Sequence, residues 1–147
     1  MKISTKGRHA VTAMMELALQ NKKGPVTLAD ISAQQSISIS YLEQLFARLR
    51  QHGIVTGMRG PGGGYCLARP ANEITIASIL ATVDDVSRHE EMPHAQNELT
   101  GGVQMWLHLS NRIYDYLNSI TLEEAVSSAS NESSTTLFGS GFRKTAA

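Results

Sequence analysis

Ser40, Glu43, Gln44, Arg48 and Arg50 lie within one short stretch of the chain, between Ser38 and Gln51. Glutamine can bond bidentately to adenine and glutamate can accept from the cytosine amino group, whereas guanidinium groups suit phosphate oxygens. At about 100° per residue, Leu42, Leu45, Phe46 and Leu49 form one apolar stripe, and Ser40, Gln44, Ala47 and Gln51 oppose it. Glu43 and Arg50 flank that polar face on one side and Arg48 on the other. Ala47 is small enough to allow close approach to a groove, or to meet a thymine methyl. A carboxylate near phosphates is repelled unless a specific donor compensates it. Glu43 therefore reads either as a discriminator between sites or as the capping partner of Ser40.

A second segment, Arg59-Gly-Pro-Gly-Gly-Gly-Tyr65, has the glycine content of a phosphate cradle. A P-loop needs Lys-Ser/Thr after its last glycine and then a helix. Here Tyr-Cys-Leu-Ala follows, which reads as a strand. A narrow hairpin tip with Arg59 beside Gly60 fits a different task, since a guanidinium gains from the negative potential of a narrow minor groove.

The elements that must position these residues can be read from caps and periodicity. Residues 5–20 form a helical pattern with Ala10, Val11, Met14, Leu17 and Ala18 on one face, capped by Ser4 or Thr5 and ended by Gly24-Pro25. Thr27-Leu-Ala-Asp30 has capping-box spacing and opens a short helix to about Gln34. The third helix starts near Ser38–Tyr41 and runs to Gln51 or His52. The runs 54–58 and 65–69 then form a hairpin, and Thr75–Val83 a fourth helix. The expected fold is mostly α with a small β-hairpin: a winged helix-turn-helix plus a long C-terminal dimerisation helix.

That long helix spans about Gly102 to Asn118. Val103, Trp106, Ser110, Ile113, Leu117 and Ile120 recur at alternating steps of 3 and 4, an a/d seam suited to pairing with a second copy. Met105, Leu109 and Tyr116 widen it on one side. The organisation expected is a DNA-binding unit over 1–83, a sensory-type loop over 84–101, a dimerisation region over 102–126 and a disordered tail over 127–147.

Composition supports a polyanion partner. The 147 residues carry no formal net charge, yet residues 1–70 hold nine Lys or Arg against three acids, a net +6, and the remainder holds −6. No apolar run is long enough for a membrane helix, and the N-terminus lacks the apolar core of a secretory leader, so a cytoplasmic protein is expected. The single cysteine, Cys66, excludes an intramolecular disulfide and a site built from several thiolates of one chain. His89, Glu90, Glu91, His94 and Glu98 are ligand-type residues, but their spacing matches no tight motif, and a solvated loop is the reading adopted. The five histidines form no recognisable catalytic constellation, so an enzyme is not expected.

Lys2-Ile-Ser-Thr-Lys-Gly-Arg8, Ser40-Tyr-Leu-Glu-Gln-Leu-Phe46, the Arg59–Tyr65 segment and Asn118-Ser-Ile-Thr-Leu-Glu123 together resemble the IscR-like regulators of the Rrf group. The resemblance covers roughly residues 1–125. It implies a bacterial dimeric winged-helix transcription regulator acting on a pseudo-palindromic operator. Ser40, Glu43 and Gln44 would then read bases, with Arg59 and Gly60 at the minor groove. Lys6, Arg8, Ser38, Tyr41, Arg48 and Arg50 complete the expected DNA-binding set. Cluster-binding members carry three cysteines before the long helix, with a histidine near its start in some. Alignment on Trp106 puts Arg88, His94, Thr100 and Val103 at those places. No iron–sulfur cluster or other metal is expected. Two alternatives stay open: control by a protein partner, or descent from a cluster-sensing parent that lost its cysteines.

Overall fold

The computed structural model describes residues 3–84 and 101–136; the side chains of 132–136 are not described. Six α-helices and one two-stranded antiparallel hairpin are present among them. They are α1 (Thr5–Gln20), α2 (Leu28–Gln35), α3 (Ile39–Gln51), β1 (Val55–Met58), β2 (Gly64–Leu67), α4 (Ile76–Asp84), α5 (Gly101–Ser119) and α6 (Leu122–Thr136). The order of a winged helix-turn-helix is therefore realised.

The helix starts follow from their caps. The Ser4 hydroxyl accepts from the Gly7 amide at 3.0 Å, and the Thr27–Asp30 capping box closes in both directions. Ser38, not Ser40, caps α3, its hydroxyl accepting from the Tyr41 amide at 3.3 Å. Between α2 and α3 the chain turns through Ser36 in the left-handed region, φ +54°. The Ser32 hydroxyl donates to the Ile37 carbonyl at 2.6 Å across this turn. Asp84 at the end of α4 closes the start of α1: its carboxylate accepts from the Ser4 amide at 3.1 Å and from the Ser4 hydroxyl.

One core joins all of this. Met14 and Leu17 from α1, Ile31 from α2, Leu42, Leu45, Phe46 and Leu49 from α3, and Ile79 and Leu80 from α4 are buried together. Leu122 at the start of α6 is buried in the same cluster, and Tyr114, Leu117, Ile120 and Ala125 pack against it. Backbone bonds fix the junction: the Ile76 amide donates to the Ile120 carbonyl at 3.0 Å and the Leu122 amide to the Ile74 carbonyl at 2.7 Å. The DNA-reading unit expected over 1–83 thus shares its core with the end of α5 and the start of α6.

The tail expected from residue 127 is also revised, since α6 continues to Thr136. Ala125, Val126 and Ala129 supply helix-compatible positions, and the Ser130 hydroxyl turns back to the Val126 carbonyl at 3.0 Å. Serine in a helix interior costs only tenths of a kcal/mol relative to better formers, roughly 0.5 kcal/mol. Composition alone overstated the tendency to disorder. Residues 137–147 of that expected tail lie outside the described part.

A capping box opens α6, with the Thr121 amide donating to the Glu124 carboxylate at 2.9 Å and the Glu124 amide to the Thr121 hydroxyl at 3.2 Å. The bond from the Thr121 amide, then that from its hydroxyl, lowers the Glu124 pKa below its ordinary value of 4.5. A depressed carboxylate stabilises the folded form above its unfolded pKa, and that contribution disappears as pH falls through the folded one. Acidification below about pH 4 should therefore fray the first turn of α6. The protection of the Glu124 and Ala125 amides, relative to their intrinsic exchange at each pH, should fall there, and Glu124→Gln should remove that pH dependence.

Candidate nucleic-acid interface

α3 has two chemically opposite sides. Leu42, Leu45, Phe46 and Leu49 are fully buried, while Ser40, Glu43, Gln44, Ala47, Arg48, Arg50 and Gln51 are exposed. The division matches the helical wheel because the burial of four large apolar residues fixes the rotation of the helix about its axis. With Ser38 as the cap, the N3 position is Tyr41, and Glu43 lies beyond it. The capping role considered for Glu43 is not used, so its carboxylate stands on the exposed face beside Gln44.

Tyr41 is placed differently from the other expected contacts. It is half-buried, and its ring meets the His9 ring of α1 edge-on, centroids 5.5 Å apart at 85°. His9 was not singled out from the sequence; a lone histidine on a helix carries no local signal for a tertiary contact. Its Nδ1 is enclosed with no hydrogen-bond partner among the described residues. Lys6 lies one turn before His9 on α1 and is half-buried. Arg8 is not brought to this side. It is exposed and lines a groove with Val11, Thr12, Ile76, Leu80 and Leu117, between α1, α4 and α5.

The wing stands on α3. Tyr65 of β2 packs against Phe46, ring centroids 4.9 Å apart, and Val26 pairs with Tyr65 through two backbone bonds of 2.9 and 2.7 Å. The strands register Val55 with Leu67 and Met58 with Gly64, so residues 59–63 form the tip. Arg59 and Gly60 are both exposed there. Gly60 has φ +99°, a conformation that side chains rarely adopt. Gly64 has φ +155°, and a Cβ on it would meet the Val26 carbonyl oxygen at 2.5 Å. The backbone approach of Val26 requires glycine at 64, and a Cβ on Gly63 would meet the Met58 carbonyl oxygen at 2.4 Å. Cys66 points to the outer side of the hairpin, with Sγ 3.8 Å from Met58 Sδ.

The expected seam on α5 divides. Leu117 and Ile120 pack on the chain's own core and Ser110 is half-buried. Val103, Trp106 and Ile113 are exposed together with Met105, Leu109 and Tyr116. The apolar arc of α5 is wider than one contact can cover, and the end rooted at Ile120 turns one flank inward. Its other flank is an uncovered apolar stripe on which Trp106 is 62% exposed.

Among the described residues no three His, Cys, Asp or Glu converge as metal ligands, and no helix is long and apolar enough to cross a membrane. Arg88, His89, Glu90, Glu91, His94, Glu98 and Thr100 lie outside the described residues.

Comparison with known proteins agrees with this architecture. The Rrf2 family, described as an iron-dependent transcriptional regulator, matches residues 3–128. The HTH-type transcriptional regulator IscR of Pectobacterium atrosepticum is 49% identical over 131 residues, covering 86% of this chain and 79% of that protein. IscR of Photobacterium profundum is 50% identical over 129 residues, covering 84% and 74%. Among solved structures, CymR, the global cysteine regulator of B. subtilis, superposes with a TM-score of 0.76 at 34% identity, covering 86% and 97%. T. potens IscR gives 0.74 at 35% identity, covering 88% of each chain. With a reading helix, a wing and a regulator's sequence in one chain, this protein belongs to the Rrf2 family and is a DNA-binding transcription regulator of the IscR-like, winged-helix type.

Proposed function

We propose that the chain binds a pseudo-palindromic operator as a homodimer, with α3 in the major groove and the wing tip at the minor groove. The carrying observation is the division of α3 into a buried apolar side and an exposed side bearing Ser40, Glu43 and Gln44. These three address base edges. Lys6, Ser38, Tyr41, Arg48 and Arg50 address phosphates, and Arg59 with Gly60 the minor groove. The exposed stripe of α5 supports two-fold pairing, which sets two reading helices one DNA turn or more apart. The regulator performs no catalysis and works in the cytoplasm.

Iron–sulfur clusters are held chiefly by thiolates, and the one thiol of this chain sits in β2. This donor set does not fit a cluster, so operator binding proceeds without one. A protein partner is the second reading of the signal, favoured by the same lack of thiolates. Protein purified without oxygen should be colourless and free of stoichiometric iron and sulfide. It should bind operator DNA with log affinity falling against log salt by about 0.9 per phosphate contacted. Visible absorbance lost on exposure to air, with iron and sulfide present, would overturn the cluster-free reading. A slope near zero would overturn the DNA reading.

A further inference from the structure

We propose that Asp84 is a positioning residue for DNA binding: from the end of α4 its carboxylate holds the first turn of α1, and with it Lys6, in the posture that meets a phosphate. The inference rests on the DNA-binding reading and adds a residue from outside the reading helix and the wing. The first four residues of α1 include Lys6 and Arg8 and no acid. The amides at a helix start carry partial positive charge, so cations there are unfavourable and an anion is favoured. An acid within that turn would supply the anion, but it would stand beside Lys6 and repel the same phosphate. Asp84 supplies it from another helix. A carboxylate at the C-terminal end of α4 is unfavourable for α4 itself, so the placement serves α1.

Both helices are built for the contact. One Asp84 oxygen accepts from the Ser4 amide at 3.1 Å and the other from the Ser4 hydroxyl. With its proton committed to Asp84, that hydroxyl accepts from the Gly7 amide at 3.0 Å. The Ser4 carbonyl accepts from the Arg8 amide at 3.0 Å. Asp84 therefore orients the cap, and the cap holds the turn that carries Lys6. Glycine inside a helix costs backbone entropy, and at position 7 the reason for it is space. A Cβ there would collide with the Asp84 carboxylate and lie 2.8 Å from Leu80 Cδ2. Immediately after this turn His9 meets Tyr41 of α3 edge-on, so the start of α1 also borders the seam with the reading helix.

The sign of the effect is the test, read in the full-length chain. Asp84→Ala removes a negative charge, and electrostatics alone would then tighten binding to DNA. The positioning role predicts the reverse. Affinity for operator and for random duplex should fall by a similar several-fold factor. The slope of log affinity against log salt should drop by about 0.9 per copy bound, one phosphate contact. Lys6→Ala should give the same loss, and adding Asp84→Ala to it should weaken binding no further. Ser4→Ala keeps the charge and the packing of α1 on α4, and should reproduce the fall in slope even where Asp84→Ala proves unstable. In both variants the Gly7 and Arg8 amides should lose exchange protection while α3 keeps its own. A wild-type slope near zero would defeat the DNA-binding reading itself. With a normal wild-type slope, an Asp84→Ala protein that binds as tightly as wild type, or more tightly, would overturn the positioning role alone. A loss that persists undiminished in the Lys6→Ala background would overturn it too, since Asp84 would then act on the fold at large.

Discussion

Ile113→Asp is expected to give a monomer that binds a palindromic operator about 100-fold or more weakly than the wild-type protein. Ile113 is 37% exposed on the free stripe of α5, so it contributes little to the chain's own core. In a dimer it is covered, and an unpaired carboxylate buried there costs several kcal/mol. The monomer should keep its helical circular dichroism and a thermal midpoint near that of the wild-type monomer. Leu117→Asp should behave differently, because Leu117 packs against the core and its loss would lower stability in any oligomeric state. An intact Ile113→Asp dimer in sedimentation would remove α5 from the interface.

Gln44→Ala is expected to cost roughly 1–3 kcal/mol on the matched operator and much less on random duplex at the same salt. Gln44 is exposed, lies on the reading face and makes no contribution to the buried side of α3. Its removal therefore tests recognition without testing the fold. Equal losses on both duplexes would reduce Gln44 to a backbone contact. Glu43→Ala should act in the opposite sense, broadening the set of tolerated sites with little loss of affinity, because a carboxylate near phosphates serves discrimination. Binding-site selection from a random pool reads both effects, and a narrower set for Glu43→Ala would contradict the assignment.

The reading helix was legible because its signals are local. Four large apolar residues at helical spacing fix which side faces inward, and nothing distant competes with them. The starts of α1 and α2 were legible through Ser4 and the Thr27–Asp30 pair for the same reason. For α3 the sequence offered Ser38 and Ser40 within one turn, and only the geometry chose Ser38. The seam on α5 was half legible. Periodicity finds an apolar face but cannot divide it between the chain's own core and a partner. That division follows from the backbone bonds at Ile120 and Leu122, which join residues far apart in sequence. Tyr41 against His9, and Arg8 turned toward α4 and α5, are tertiary outcomes of the same kind. The length of α6 was missed because a serine-rich composition was weighed against its mean rather than against the alanines and valine among it.

In the proposed homodimer, the bonds that root the end of α5 beside the start of α4 would act as the pivot of a calliper of fixed opening. The distance from the two-fold axis to each reading helix passes through α5, the Ile74–Leu122 and Ile76–Ile120 bonds, and the packed core beneath α3. In the proposed dimer the two jaws therefore keep one separation on DNA. In such a design the spacing of the two operator halves is set by the fold of each copy and not by the DNA.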